Sequence, residues 1–296
     1  MADHAIVLIG GPDSGKTNYV ARLWKALSSQ DGAIFASDVP NDIRYVEEAL
    51  AHLLQGSFAP RSDKNFENIQ QSFSVPVVST DAPDAEPVQV VVPDVTGELW
   101  QTAVETGELP EQWMTRLRTA SGALVFVRIG SDQNVDPLDW VTADQLLKMP
   151  AMAPSTGQEN IRKVPTQVLL CELLRLLEYG LATDLGNVRP RVAILVTAWD
   201  RLDPESRAKG PAAYITEQYP LLAGRLNDIS AFDIRVLGVS IVGGDFIDPD
   251  FQEEFFKVDL KDSGYVELEA DGELQTKPDI TLPIAWAMRI ADSNEQ

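Results

Sequence analysis

Ala5-Ile-Val-Leu-Ile9 runs straight into Gly10-Gly-Pro-Asp-Ser-Gly-Lys-Thr17, and Val20, Leu23, Trp24 and Leu27 then recur at helical spacing. The first five residues are a short continuous apolar run, as expected of a strand buried on both faces. Strand, glycine-rich loop and helix in that order are the context that G-x-x-x-x-G-K-[ST] requires. Gly10 and Gly15 let the backbone curl so that successive N–H groups face one anion. The following helix directs its positive end at the same point. Lys16 is placed to reach the outer phosphates of a nucleotide, and the Thr17 hydroxyl to ligate Mg²⁺. The alternative, an ordinary glycine turn, lacks a reason for the flanking strand and helix.

Composition narrows the rest. The chain has 296 residues, 24 Lys and Arg against 45 Asp and Glu, and a net charge of −21. So acidic a chain is not expected to hold nucleic acid by neutralising phosphates. One cysteine, Cys171, and two histidines, His4 and His52, leave no material for a disulfide framework, a structural zinc site or a cysteine-protease centre. The opening apolar run is too short for a signal-peptide core and no 18-residue apolar stretch follows, which predicts a cytoplasmic protein without a membrane span. No internal repeat and no second glycine-rich phosphate loop is visible.

A second signal lies downstream. Val88-Gln-Val-Val-Val92 reads as a strand ending in Pro93-Asp94-Val-Thr-Gly97-Glu98. An Asp just beyond a buried strand is where such proteins keep the carboxylate that steadies Mg²⁺, and a Gly three residues later can offer its N–H to a γ-phosphate. A third strand, Arg191 to Val196, ends in Thr197-Ala-Trp-Asp200, and a fourth, Ile234 to Ser240, ends in Ser240-Ile241.

This ordered set resembles the Ras-like, translation-factor-related GTPases, and among them the divergent bacterial double-GTPase group of conflict and defence systems. Gly56-Ser-Phe-Ala-Pro-Arg-Ser62 and Pro283-Ile-Ala-Trp286 point to that group. The resemblance implies GTP or GDP as ligand with Mg²⁺, slow hydrolysis, and protein partners that sense the nucleotide state, with a nucleotide-dependent dimer or larger complex among the forms this can take. It carries over residue by residue. Gly10, Asp13, Ser14, Gly15, Lys16, Thr17, Asn18 and Gly97 would hold the phosphates, and Thr197, Asp200 and Ser240 the base. Thr17, Asp94 and Ser62 would serve the metal, with Thr80 in reserve for Ser62. Glu98 stands where the family commonly has a water-orienting Gln, so Glu98, Lys16 and Arg61 form the catalytic set, Arg61 as an arginine finger in cis. The other reading makes Arg61 a surface arginine and Glu98 a first-turn helix acid.

One position departs from the pattern. The family's [NT]-K-x-D has a Lys whose stem covers the base; here it is Ala198, with Trp199 as a candidate replacement cover. That departure keeps a P-loop ATPase or kinase open, and a non-hydrolysing nucleotide-binding scaffold stands beside both.

The organisation expected is a single α/β domain over 1–296, its sheet mostly parallel with helices on both faces, carrying insertions at 132–163 and 245–273. Helices are expected at 42–54, 111–119 and 164–181, and a strand pair at 73–78 and 88–92. Cys171 falls inside an apolar helical pattern and reads as a core thiol. The second insertion holds eleven acidic residues against two lysines, with Phe246, Phe251, Phe255, Phe256 and Tyr265 interleaved. It reads as a solvated decoration or as an acidic, aromatic surface for a protein partner.

Overall fold

The computed structural model describes residues 3–40, 43–60, 72–93, 97–137, 164–181 and 188–290. Its nine strands, counted among those residues, form one sheet in the order β2-β3-β4-β1-β5-β6-β7-β8-β9. They are β1 (Asp3–Ile9), β2 (Ile34–Ala36), β3 (Ser72–Ser79), β4 (Val88–Pro93), β5 (Ala120–Arg128), β6 (Arg191–Thr197), β7 (Asp233–Ser240), β8 (Tyr265–Ala270) and β9 (Glu273–Lys277).

The centre, β4-β1-β5-β6-β7, is parallel, whereas β2-β3-β4 and β7-β8-β9 pair antiparallel. The sheet is therefore mixed, and the mostly parallel expectation holds only for its middle. For two of the antiparallel pairs, β3–β4 and β8–β9, the connection is too short for the crossover of a dozen residues that a parallel partner needs. β8 and β9 are joined by Asp271 and Gly272 alone, both at positive φ (55° and 77°) as a tight hairpin turn requires.

β1 shows why the centre is buried on both sides. Ile6 and Leu8 enter one apolar cluster and Val7 and Ile9 the other, the period-two alternation of a strand with a core on each face. The first cluster is closed by α1 (Lys16–Ser29) through Val20, Leu23 and Leu27, with Val46 of α2 (Arg44–Leu54) and Ile284 of α10 (Leu282–Ala287). On the opposite face lie α3 (Gly97–Thr106), α4 (Glu111–Thr119) and α5 (Thr166–Gly180), which bury Trp100, Trp113, Leu117, Leu173 and Leu177. Cys171 of α5 is half-buried against this second core, and burial pushes its thiol pKa up.

Between β6 and β7 the chain forms α6 (Pro204–Ala208), α7 (Pro211–Gln218) and α8 (Pro220–Asp228), each with proline in its first turn. Proline fits there because the first-turn N–H has no helical partner anyway. A further helix, α9 (Pro249–Phe255), lies in the second expected insertion. Three of the segment's phenylalanines belong to the interior. Phe246 and Phe255 are buried and Phe251 packs on them, in a third cluster with Ala21 and Leu53 that seats α9 against α1 and α2. The exposed apolar residues of the segment are Ile247, Phe256 and Val258.

Parallel strands bring the loops after β1, β5, β6 and β7 to one edge of the sheet, the carboxyl edge, where ligands of open α/β sheets bind. Thr80 falls at the opposite edge. It follows the carboxyl end of β3, which runs antiparallel to β4, and its hydroxyl donates to the carbonyl of Gly32. It has no route to a metal beside Thr17, so the reserve role given to Thr80 is withdrawn.

Candidate functional site

The glycine loop is built by close backbone approach. A Cβ on Gly10 would lie 2.8 Å from Ser14 Oγ and 3.0 Å from the Phe126 carbonyl oxygen, so no side chain fits. Gly15 has φ 95° and caps α1 without any side-chain hydrogen bond to the helix amides. The first N–H groups of a 14-residue helix thus face the loop, together with the positive end of its dipole. Lys16 Nζ donates to Gly10 O (2.8 Å), Gly11 O (2.9 Å) and Ser14 Oγ (2.9 Å), which holds the ammonium across the mouth of the loop. Thr17, in the first turn, is half-buried beside it.

The other motifs lock onto this loop. Gly97 begins α3 directly against it: a Cβ there would stand 2.2 Å from Pro12 N and 2.4 Å from Gly11 C. Thr197 donates its buried hydroxyl to the Ser14 carbonyl at 2.9 Å, so this residue braces the loop. Asn18 accepts from the Ala59 amide at 2.9 Å and ties α1 to the segment after α2. Asp13 is left-handed (φ 59°); its carboxylate forms an ion pair with Arg128 and accepts from Ser131 Oγ at 2.8 Å. Asp13, expected at the phosphates, is therefore engaged by β5 and the turn that follows it.

A cavity of about 430 Å³ opens beside the loop. Its walls include Gly15, Asn18, Thr197, Ala198, Asp200 and Arg128, and on the far side Phe58, Ile241, Phe246 and Ile247. The Phe58 and Phe246 rings stand 4.9 Å apart between centroids. Asp200 follows β6 and is hydrogen-bonded to Ser240, which is fully buried at the end of β7 and accepts from the Gly243 amide at 2.9 Å. Burial pushes the Asp200 carboxyl above its ordinary value, Asp245 adds to the rise, and the Ser240 bond opposes it. A half-buried acceptor pair fixed by a serine is suited to read two adjacent N–H donors.

Trp199 does not cover this cavity. Its indole is fully buried on the other side of the chain, lying over Gly238, where a Cβ would meet the ring at 2.6 Å. Its Nε1–H donates to Glu267 Oε2 at 2.6 Å. Ala198, left-handed at φ 56°, turns the chain at the end of β6, and the next two residues part company, Trp199 inward and Asp200 toward the cavity. The expectation that Trp199 would shield a base is corrected: that ring belongs to the core.

Glu98 is exposed on the first turn of α3, where a carboxylate favours the helix N-terminus. Arg61, Ser62 and Asp94 lie outside the described residues. Sequence reasoning missed Arg128, Phe58 and Glu267. For Arg128 the signal was present, since it is a lone charge closing an otherwise apolar strand that runs parallel to β1 and stops beside the loop.

The model of the Double-GTPase 1 family matches residues 7–287. The chain belongs to the Double-GTPase 1 family. That membership carries guanine-nucleotide binding with it, and it spans the sheet from β1 to α10. Among solved structures, a bacterial selenocysteine-specific elongation factor is similar at 12% identity and TM-score 0.32, over 87% of this chain and 28% of that one. The signal recognition particle receptor SRb-GTP/SRX complex from Chaetomium thermophilum is similar at 13% identity and TM-score 0.41, over 87% and 97%. The chain thus spans under a third of the elongation factor's length. No curated protein sequence matches. Among the described residues no helix is long and apolar enough to cross a membrane.

Proposed function

We propose that the chain is a single-domain switch that binds GTP and GDP with Mg²⁺, hydrolyses GTP slowly, and is read by a protein partner in a bacterial defence setting. The observation that carries this reading is the shared cavity: Gly15 and Asn18 at the uncapped start of α1, next in the chain to Lys16, line one end, and the Ser240-held carboxylate of Asp200 lines the other. The first suits a phosphate chain and the second the paired N–H donors of guanine. Mg²⁺ fits the donor set, because the Thr17 hydroxyl is a hard oxygen at the phosphate end and such ions take most of their remaining ligands from phosphates and water. When bound, the ion would neutralise charge between the outer phosphates. Asp94 and Ser62 are the further metal-side residues we assign, and Arg61 the cis arginine.

We assign the water-orienting role to Glu98, and a carboxylate in that role is repelled by the γ-phosphate. Turnover without a partner should therefore fall near the unassisted range, on the order of 10⁻⁴ to 10⁻² s⁻¹. Single-turnover hydrolysis by Glu98→Gln and Glu98→Ala reads this directly, and equal rates in both variants and the wild type would remove Glu98 from the mechanism.

The deciding experiment is nucleotide identity. Wild-type protein should bind GTP and GDP well above ATP, and Asp200→Asn should lose guanine affinity by about 1–3 kcal/mol while gaining xanthine nucleotides, whose C2 group is an acceptor. Equal affinity for ATP and GTP in the wild type would overturn the guanine reading and favour the ATPase alternative.

A further inference from the structure

At position 198 the base-side motif lacks two things that its lysine would bring: a cation at that point, and a stem that covers one face of the base; Arg201, which also lines the cavity, is paired with Asp245 at 3.8 Å. A methyl group supplies neither, and Trp199 points into the core. Yet a guanidinium lines the same cavity from the neighbouring strand. Arg128 is the last residue of β5, and its backbone partner across the parallel ladder is Thr197, the residue just before Ala198. The two positions are thus side by side at the carboxyl edge, one strand apart.

Arg128 is also aimed. Its Nη1 donates to the Asp13 carbonyl at 3.1 Å and pairs with the Asp13 carboxylate, whose second oxygen takes the Ser131 hydroxyl at 2.8 Å. The left-handed backbone of Asp13, uncommon outside glycine, turns both its carbonyl and its side chain toward β5. With 27% of its side chain exposed, Arg128 is held by one nitrogen and still borders the cavity that Asp200 borders.

We infer that Arg128 replaces the missing lysine: it lays a guanidinium plane and its alkyl stem on the base side of a bound guanine nucleotide, and Asp13 is its positioning residue. A planar, delocalised cation stacks on a purine face as a lysine stem does, with more area. The inference rests on the guanine-nucleotide reading and adds the residue that sets its affinity.

The test is a rescue. Affinities for GDP, GTP and GMP are measured for the wild type, Arg128→Ala, Ala198→Lys and the double variant, with thermal melting of each nucleotide-free protein alongside. Arg128→Ala should weaken all three ligands by a similar factor, roughly tenfold or more, as expected for loss of one stacking side chain. Installing lysine at 198 in the Arg128→Ala background should recover most of that loss. Loss that grows with the number of phosphates would make Arg128 a phosphate ligand and overturn the assignment. Unchanged affinity would overturn it as well, and so would a loss that Ala198→Lys fails to recover, because Arg128 would then only brace the loop. If the wild type binds no guanine nucleotide, the functional reading fails first, and that result is distinct from each of the others.

Discussion

Glu267 offers the sharpest test of how the base-side motif is held. It is 2% exposed, faces Gly238 across the β7–β8 pair, and accepts from Trp199 Nε1 at 2.6 Å. Its other oxygen pairs with Arg207 Nε at 3.2 Å and accepts from Thr276 Oγ1 at 3.3 Å. Replacing Glu267 by leucine removes all three and strands the buried indole N–H. That unpaired donor costs about 1–3 kcal/mol. The Arg207 pair adds little, at most about 1 kcal/mol, because the arginine side chain is 41% exposed and can turn to water. The sum is about 1–4 kcal/mol, which for a chain of this size lowers the melting temperature by roughly 2–7 °C. Glu267→Gln keeps an acceptor for Trp199 and should lose about half as much. Circular-dichroism melts of the two variants beside the wild type decide it. A leucine variant that melts together with the wild type would refute the reasoning, as would a glutamine variant as damaged as leucine, because the buried acceptor would then not be what counts.

Lys16→Ala should remove most nucleotide affinity, roughly 100-fold for two lost charge-assisted bonds. Its melting temperature should stay close to wild type, since the three bonds of Lys16 lie within one exposed-edge loop; unchanged affinity in the folded variant would remove the phosphate site. The raised carboxyl of Asp200 makes a pH prediction with a definite sign. Guanine recognition needs the ionised acceptor, so GDP affinity should fall as pH drops through that raised value, above the ordinary 3.8. The fold responds oppositely: a group whose folded pKa is raised stabilises fully below its unfolded value, and this contribution fades as pH rises through the folded one. Titrating GDP affinity of the wild type and of Asp200→Asn over the same pH range separates this from phosphate protonation, which both share; parallel curves would exclude Asp200 as the titrating group.

Much of the frame was legible because each central strand is a nearly unbroken apolar run ending in a motif, and apolar runs of that kind belong to strands covered on both faces. α1, α2, α4 and α5 likewise carried their period in plain view. The misses have separate causes. β2 is three residues long, too short for any period to register. The helices α6 to α8 announce themselves by Pro204, Pro211 and Pro220, with Asp203 as a side-chain cap, punctuation that a search for apolar stripes passes over. Phe246 and Phe255 sit among carboxylates in sequence, so their burial depends on a third core that only the packing of α9 on α1 and α2 creates. In the site, glycines and Lys16 were readable because backbone geometry dictates residue type there. Thr197, Asp13 and Trp199 were placed by motif position, and position does not say which way a side chain turns.

The two ends of the cavity therefore differ in kind. At the phosphate end Lys16 already holds three oxygens of its own loop, so a phosphate chain must exchange those bonds for its own, and the net gain is the difference between two charge-assisted sets. At the base end nothing need be exchanged of comparable strength. Asp200 is oriented by Ser240, Ser240 by Gly243, and the turn carrying Asp200 is pinned from behind by Trp199 on Glu267. Arg22 of α1, 2% exposed, fastens the next loop by donating to Ile241 O, Lys261 O and Ser263 O. A preorganised end contributes its bonds with little ordering cost, whereas an exchanging end contributes a small balance of large terms. Discrimination between nucleotides should then reside in Asp200 and its supports, and sensitivity to the number of phosphates in the Lys16 loop and in Gly97, which leans on that loop's backbone with no room for a side chain between them.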